Sequence, residues 1–339
     1  MKYKAAIIGC GNIFPMHGWS VHANPHCDLV AVADNKFDRA QAKAVEFGCK
    51  AYADYEEMIL NEKPNGVHIC TPHYLHAQMA LFALGHNAHV LTEKPMAIDI
   101  NDAEQMVAAA ERAGKNLGVI FQNRYNPGSV FARQMLDSGE LGRVKGAKME
   151  VTWCRGGDYY ADDWHGTWDK EGGGVIINQA LHTFDLMRYL VGANAKSVDC
   201  HISNRAHPSV EVEDEADGVI VFDNGVMGSF YCNLYYANDD DIHLQLLCEK
   251  GKINIYADTA KVEFMNGRTY AAGATPGEFF AYGGVKSYWG MSHKKQIDNF
   301  YSCLANGERP FIDGHDALET TRMVLACYQS AKTNLRVTL

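Results

Sequence analysis

Residues 4–14 of the chain read Lys4-Ala5-Ala6-Ile7-Ile8-Gly9-Cys10-Gly11-Asn12-Ile13-Phe14. The first five are mostly apolar and predict a buried strand, and the glycines that follow suit a tight turn into a helix. A helix that begins there directs its free backbone N–H groups at an anion such as a pyrophosphate. The third position of this glycine pattern normally holds a small residue, but here it is Phe14, so the pattern is incomplete.

The first 120 residues alternate short apolar runs with helical patterns. The apolar runs are 4–8, 29–33, 66–70, 89–92 and 117–121, and the helical patterns are 38–47, 55–61, 75–84 and 101–113. Near-continuous apolar strands separated by amphipathic helices predict a parallel sheet covered on both faces. The fold class is therefore α/β, with an N-terminal Rossmann domain, a doubly wound parallel sheet, over residues 1–122.

Beyond residue 122 the pattern changes to consecutive strands. Helices are predicted at 129–136 and 174–191, and strands at 144–154, 197–203, 216–222, 226–235, 242–248 and 252–255. Asp223-Asn224-Gly225 is a hairpin turn signal, because Asn-Gly tolerates positive φ. A Gly-rich aromatic loop at 269–291 and two final helices follow. Residues 123–339 thus form a C-terminal α+β domain with a largely antiparallel open sheet, for substrate binding and oligomerisation.

Composition excludes several functional classes. The 339 residues include 31 basic and 41 acidic side chains, a net charge of −10, which gives no electrostatic footprint for nucleic acid or an anionic membrane. No apolar run approaches the roughly 20 residues needed to span a bilayer. The ten cysteines form no C-x-x-C pair, which favours reduced thiols and a soluble, cytoplasmic protein. His73 and His76 lack further ligands in a recognised spacing, so no metal is expected.

Asp34 follows the second predicted strand and points to a cofactor. A carboxylate at this position can accept hydrogen bonds from both adenosine ribose hydroxyls, and it repels a 2′-phosphate. Asp34 therefore favours NAD, with NADP less favoured, although Lys36 and Arg39 nearby could weaken that preference. The alternative is a solvated Asp34 that caps the next helix.

Two further segments follow strands of the same sheet, where ligands of open α/β sheets bind. They are Thr71-Pro72-His73 and Thr92-Glu93-Lys94-Pro95. The candidate cofactor-binding residues are Gly9, Gly11, Asn12, Ile13, Asp34, Thr71, Pro72, His73, His76, Glu93, Lys94 and Gln122.

Several motifs occur in one order along nearly the whole chain. They are Gly9-Cys10-Gly11-Asn12, Thr71-Pro72-His73 with His76, Glu93-Lys94-Pro95, Gly172-Gly173-Gly174 with Asn178 and His182, Gln296-Ile297-Asp298-Asn299-Phe300, Arg309-Pro310 and Asp313-Gly314. Together they resemble the Gfo/Idh/MocA family of oxidoreductases. The resemblance implies an NAD(P) domain, a second domain whose open sheet often forms a dimer interface, and a homodimer or homotetramer. It also implies redox chemistry at a hydroxyl-bearing carbon, usually of a sugar, polyol or nucleotide-sugar.

In that family the lysine of Glu-Lys-Pro is catalytic and the Lys–Pro bond is commonly cis. Lys94 would accept the alcohol proton if its pKa falls towards neutrality, and His182 starts nearer that range. The alternative interpretations are that Lys94 is an exposed loop lysine and that His182 is a core or capping histidine.

Asn178 and His182 are four residues apart on one helix face. Many members carry Asp where this chain has Asn178, and an amide can orient a substrate but cannot act as a base. Asn here resembles branches that act on nucleotide-sugars or glycosides.

Aromatic loops supply further substrate candidates. The loop from Arg155 to Trp168 contains Tyr159, Tyr160, Trp164 and His165. Aromatic faces pack against sugar C–H surfaces, and Arg155 could bind a carboxylate or phosphate through two N–H groups. These residues could instead form a small core beneath the loop, and the loop with Phe279, Phe280, Tyr282 and Tyr288 is equally ambiguous. The predicted substrate-binding residues are Asn178, Arg155, Trp164 and Tyr282.

Three functions fit these patterns. The leading one is NAD-dependent hydride transfer at a secondary hydroxyl of a sugar, glycoside or nucleotide-sugar. The second is a redox-neutral glycosidase or epimerase, in which bound NAD oxidises C3 transiently. The third is a non-catalytic NAD(P)-binding sensor or structural partner, against which the presence of both Lys94 and His182 argues.

Overall fold

The structure is a computed structural model, and it describes residues 2–273 and 290–339. These residues divide into two compact units. The first unit contains residues 2–122 and 290–318, and the second contains 123–273 and 319–339. Residues 290–318, which the sequence places in the second domain, therefore belong to the first unit.

The first unit is built on six parallel strands. They are β1 (Tyr3–Ile8), β2 (Cys27–Ala33), β3 (Lys50–Tyr52), β4 (Gly66–Ile69), β5 (His89–Thr92) and β6 (Leu117–Val119). Their order, β3-β2-β1-β4-β5-β6, is that of a Rossmann sheet. The predicted parallel sheet is confirmed, and β3 is an addition. This strand has three residues, none of them buried, so it carries no apolar run that the sequence could reveal.

Six helices of the first unit accompany this sheet. They are α1 (Phe14–Ala23), α2 (Phe37–Phe47), α3 (Tyr55–Glu62), α4 (His76–Gly85), α5 (Ile100–Ala113) and α8 (Gly290–Asn306). Helix α1 follows the glycine turn as expected, but hydrophobic periodicity does not reveal it, because its buried residues include a histidine, a serine and a glycine and form no amphipathic period. Helix α8 places Ile297, Phe300 and Tyr301 in one apolar cluster with Ala5 of β1 and Leu91 of β5, which explains why it belongs to this unit.

Phe14 is accommodated by a glycine one turn further along α1. Its ring is fully buried and packs edge-on against Phe47 of α2, with centroids 5.7 Å apart. A Cβ atom at Gly18 would lie 2.8 Å from the Phe14 ring. The small residue that the glycine pattern lacks at position 14 is thus supplied at position 18, and the helix still packs closely.

The second unit contains a nine-stranded sheet. Its strands are β7 (Val144–Thr152), β8 (Ala195–Ser203), β9 (Glu215–Phe222), β10 (Met227–Asn233), β11 (His243–Cys248), β12 (Gly251–Tyr256), β13 (Thr259–Phe264), β14 (Thr269–Ala272) and β15 (Val337–Thr338). Their order is β14-β13-β12-β11-β7-β10-β9-β8-β15. Within the described part of this second sheet only the β7–β10 pair is parallel, so the largely antiparallel sheet is confirmed.

Turns and helices complete the second unit. Gly225, with φ of 83°, closes the predicted hairpin between β9 and β10. Strand β14 lies inside the segment predicted as a loop, because its residues are mostly exposed and show no strand alternation. The helices are α6 (Pro127–Asp137), α7 (Leu181–Val191), which directly follows a π-helical segment (Val175–Ala180), and α9 (Gly314–Thr333), which begins in the first unit. In the described ranges, no helix combines the length and apolarity needed to cross a membrane.

Candidate active site

Gly9 and Gly11 shape the turn between β1 and α1. Gly9 has φ of 94°, and a Cβ atom there would lie 2.4 Å from the carbonyl oxygen of Cys70 at the end of β4. A Cβ atom at Gly11 would meet no described atom within 4 Å, so open space adjoins the turn. Asn12 is exposed and Ile13, the N-cap residue of α1, is half-buried without a side-chain cap. The backbone N–H groups of this turn therefore fit a phosphate.

Asp34 is held beside the same turn. Its Oδ2 atom accepts a hydrogen bond of 2.8 Å from the backbone N–H of Cys10, and its Oδ1 atom accepts one of 2.8 Å from Lys36. Each oxygen keeps a further lone pair for a ribose hydroxyl. The N-cap residue of α2 is Lys36, not Asp34, so the capping alternative does not describe this side chain.

His76 joins the loops that follow β4 and β5. It is fully buried, with Nδ1 2.7 Å from the carbonyl oxygen of Pro95 and Nε2 2.8 Å from that of Thr71. Pro72 precedes a 3-10 turn, His73–Leu75, in which His73 is also buried. The predicted cofactor residues of these two loops are thus brought together.

Lys94 follows a buried carboxylate. The Lys94–Pro95 bond is cis, Lys94 is half-buried and Glu93 is buried. Glu93 Oε1 lies 2.8 Å from His17 Nε2 and 3.4 Å from His293 Nε2. Burial opposes ionisation of Glu93, but its hydrogen bonds with the two histidines outweigh it and hold its pKa well below the usual range. Sequence patterns do not single out His17 or His293, although a histidine within the apolar residues of α1 is the available signal for the first.

Gln122 supplies an unpaired buried atom at the end of the same sheet. It follows β6, and its Oε1 atom is buried with no hydrogen-bond partner among the described residues. A ligand amide or hydroxyl would satisfy that acceptor. The open turn at Gly11, the fixed Asp34 carboxylate and this atom together fit a dinucleotide at the carboxyl edge of the sheet.

In the second unit, Asn178 and His182 lie on successive helical segments. Asn178 is buried in the π-helical segment, and His182 is half-buried in the first turn of α7. The sequence predicts a single helix here, and π-helical turns occur frequently at functional sites. A Cβ atom at Gly174 would lie 2.0 Å from the carbonyl oxygen of Glu213, so this glycine lets the segment start against another backbone, as expected.

Glu213 anchors the start of this segment and is missed by the sequence analysis. Its carboxylate accepts hydrogen bonds from the backbone N–H groups of Gly174 and Ile176, at 2.8 and 3.0 Å, and from the Tyr328 hydroxyl at 2.9 Å. Burial raises the pKa of Glu213 to about 7, and these hydrogen bonds limit the rise. The residue immediately before Asp214 in a polar loop carries no distinctive sequence signal.

Asn178 is tied into a buried polar cluster. Its Nδ2 atom donates to the Tyr159 hydroxyl at 2.7 Å and to Glu171 Oε1 at 2.5 Å. Gln179 Nε2 also donates to the Tyr159 hydroxyl, at 2.7 Å. Both amide hydrogens of Asn178 are thus used within its own unit. Toward a substrate, Asn178 can therefore act only as an acceptor, through Oδ1.

The other predicted substrate residues differ in their surroundings. Arg155 is buried and its guanidinium donates to Asp239 Oδ1 at 2.8 Å and to Gln179 Oε1 at 2.9 Å, which leaves less of it for an anionic substrate than the sequence suggests. Trp164 is half-buried, with its ring centroid 3.6 Å from that of His165. Tyr282 lies outside the described residues.

The predicted site residues therefore form two groups. The cofactor candidates and Lys94 belong to the first unit, and Asn178, His182, Arg155 and Trp164 belong to the second. Within residues 2–273 and 290–339, no cluster of three or more His, Cys, Asp or Glu side chains is arranged to hold a metal ion.

Comparison with known proteins assigns both units to one family. A family model described as an oxidoreductase family with an NAD-binding Rossmann fold matches residues 3–121, and the GFO/IDH/MocA C-terminal domain matches residues 130–254. The chain is 27% identical to D-glucoside 3-dehydrogenase of Escherichia coli (strain K12), over 99% of this chain and 97% of that protein. It is 24% identical to the scyllo-inositol 2-dehydrogenase (NAD(+)) of Bacillus subtilis (strain 168), over 100% and 96%.

A solved structure is similar over the full length. The WlbA dehydrogenase from Bordetella pertussis, in complex with NADH and UDP-GlcNAcA, superposes with a TM-score of 0.86 at 27% identity, covering 100% of this chain and 98% of that one. The motifs, both sheets and both family models lead to one assignment. This chain is a member of the Gfo/Idh/MocA oxidoreductase family, and its first unit is an NAD-binding Rossmann domain.

Proposed function

We propose that this chain oxidises, reversibly and with NAD, a secondary hydroxyl of a sugar, glycoside or nucleotide-sugar. The observation that carries the proposal is the position of Lys94, half-buried directly after β5 at the carboxyl edge of the NAD-binding sheet. The names of the relatives support the substrate class, since they include a glucoside dehydrogenase and an inositol dehydrogenase.

Residues of the chain are assigned to proton transfer and to substrate binding. NAD, when bound at the carboxyl edge of the first sheet, would supply the acceptor for the hydride that leaves the alcohol carbon. Lys94, with its amine neutral, accepts the proton that leaves the alcohol oxygen, and His182 is the second candidate for that proton. Asn178 accepts a hydrogen bond from a substrate hydroxyl through Oδ1, and the Trp164 ring packs against sugar C–H groups.

The first experiment is an absorbance and mass spectrum of the purified protein before any cofactor is added. A screen at 340 nm with glucosides, inositols and nucleotide-sugars follows. Reduction of added NAD by one sugar class supports the proposal and identifies the class. Co-purified NAD(H), with turnover but no change in free NADH, would replace it with the redox-neutral cycle. Tight NAD binding without turnover of any sugar would favour the sensor.

The role of Lys94 has a matched test. Lys94→Met keeps most of the side-chain length and removes the amine, and we expect kcat to fall by about 100-fold or more, as for loss of a general base. Lys115→Met, at another half-buried lysine of the same unit, is the control and retains activity. Full turnover by Lys94→Met on the substrate identified above would contradict the assignment.

We further propose a cytoplasmic homodimer or homotetramer that pairs through one face of the nine-stranded sheet. Met227 and Leu247 flank Gly146 in register. Tyr231 and Tyr256 lie two rows further along the same face, in register with Glu150, and all four side chains are exposed. Exposed large apolar side chains on a sheet face favour self-association, although here a row with Ser229, Lys148 and Gln245 separates the two pairs. All ten cysteines are free thiols, which supports a reducing compartment. Light scattering of wild type and Leu247→Lys tests the interface, because a lysine there should shift the mass to the monomer.

A further inference from the structure

Three buried side chains extend from Glu93 into the core of the first unit. His17 Nε2 lies 2.8 Å from Glu93 Oε1, and His17 Nδ1 lies 2.8 Å from Nδ1 of His68. His68 Nε2 lies 2.8 Å from the Tyr301 hydroxyl, and the two rings stack at 18°. The row Glu93–His17–His68–Tyr301 thus links the loop after β5 to α1, β4 and α8.

The available donors and acceptors determine which side chain donates in each hydrogen bond of this row. The Tyr301 hydroxyl has no acceptor other than His68 Nε2 among the described residues, so it donates there. A neutral His68 then carries its hydrogen on Nδ1 and donates to His17 Nδ1, and His17 in turn donates from Nε2 to Glu93. Burial lowers the pKa of both histidines, which agrees with neutral rings, and it raises the pKa of Tyr301.

The row has no exit to solvent. His17, His68 and Tyr301 are all fully buried, so none of these three side chains contacts solvent directly. Its effect is electrostatic, since each donated hydrogen bond polarises the next and the last one ends on Glu93. Glu93 also receives the backbone N–H of Lys94, at 3.3 Å on Oε2. His17 and the backbone of Lys94 thus both donate to this carboxylate, which favours the ionised form.

We propose that Tyr301, His68 and His17 are positioning residues that keep Glu93 ionised at the cofactor edge, so that this chain binds NAD⁺ in preference to NADH. The two cofactor forms differ by one positive charge on the nicotinamide ring, and a fixed negative charge nearby stabilises only the oxidised form. Asp34 follows β2, in the half of a Rossmann sheet that takes the adenosine, whereas Glu93 follows β5, in the other half. The inference rests on the NAD-binding domain, not on the substrate proposed above.

The test compares cofactor affinities without any substrate. NADH binding is followed by its fluorescence, NAD⁺ binding by displacement of NADH, and the ratio Kd(NAD⁺)/Kd(NADH) is taken for each variant. For Glu93→Gln, which removes the charge, we expect the ratio to rise about tenfold. For Tyr301→Phe, which removes only the last donor of the row, we expect a rise of about threefold. Since no turnover is measured, the result is independent of the proposed dehydrogenase activity.

Tyr3 provides a matched control. It lies in the same apolar cluster, 6.4 Å from Tyr301 between ring centroids, and its hydroxyl donates to the carbonyl oxygen of Leu304 instead of a histidine. Tyr3→Phe should leave the ratio at the wild-type value. Equal ratios for Tyr301→Phe and Tyr3→Phe would overturn the proposal, as would a wild-type ratio in Glu93→Gln. If Glu93→Gln does not fold, the two tyrosine variants decide the question alone.

Discussion

Replacing Glu213 with glutamine should remove a pH dependence from the stability of the second unit. Glu213 is buried at the start of the helical segment that carries Asn178 and His182, and burial raises its pKa from an ordinary 4.5 to about 7. A carboxyl group whose pKa is raised by folding binds its proton more tightly in the folded state. Its stabilising contribution is therefore complete below pH 4.5 and is lost as the pH rises through 7.

The size of the effect follows from the two pKa values. A difference of about 2.5 pKa values corresponds to about 3 kcal/mol, lost between roughly pH 4.5 and 7.5. Glutamine does not titrate, but its single carbonyl oxygen cannot accept from Gly174, Ile176 and Tyr328 at once. One buried donor is left unpaired, at a cost of about 1–3 kcal/mol. We therefore expect the variant to be less stable than wild type at pH 5 and nearly equal to it at pH 8.

The assay is thermal unfolding followed by circular dichroism at pH 5, 6, 7 and 8. Glu211→Gln is the control, because Glu211 lies on the same segment with an exposed side chain, and its curve should run parallel to that of wild type. Parallel curves for Glu213→Gln and wild type would refute the reasoning, since they would mean that Glu213 does not gain a proton on folding.

Three further predictions concern cofactor and substrate binding. Asp34→Ala should weaken NAD binding and shift the ratio of NADP to NAD affinity by about tenfold toward NADP, because the carboxylate that repels a 2′-phosphate is gone. Titration with both cofactors measures this ratio. Gly9→Ala should destabilise the first unit by about 1–3 kcal/mol and abolish tight cofactor binding, because the new Cβ atom would lie 2.4 Å from a backbone oxygen. A wild-type melting temperature for this variant would contradict the prediction. Tyr159→Phe should lower kcat/KM by about tenfold, because the amides of Asn178 and Gln179 lose a shared acceptor. Steady-state kinetics with the identified sugar measure this decrease.

Local sequence patterns predict the first sheet well. Its strands are short apolar runs and most of its helices are amphipathic, so the spacing of the apolar residues alone distinguishes the strands from the helices. Asp34 and the Glu93-Lys94 pair become candidates through that assignment, because they follow β2 and β5 and ligands bind at that edge. Helix α1 is buried on most sides and carries no period, so the glycine turn before it, and not periodicity, predicts it.

Contacts between residues that are far apart in the chain cannot be predicted from local sequence patterns. The acceptor of the Tyr301 hydroxyl is more than two hundred residues away, and the partners of Glu213 come from two other segments. The pairing of Arg155 with Asp239 likewise depends on two loops that meet only after folding. Phe14 departs from the glycine pattern, and the compensating Gly18 becomes visible only when the ring is seen to lie over it.

The position of α8 affects how the chain folds during synthesis. Its side chains cover apolar residues of β1 and β5, yet α8 begins only at residue 290, whereas the last strand of that sheet ends at residue 119. A growing chain that has released residues 1–122 from the ribosome therefore exposes an uncovered apolar surface until α8 emerges. At typical rates of about 5–20 residues per second, that interval lasts on the order of ten seconds or more. A fragment cut after residue 122 would keep this surface exposed permanently, so the cofactor domain should aggregate when expressed alone and should gain solubility when α8 is supplied on the same chain.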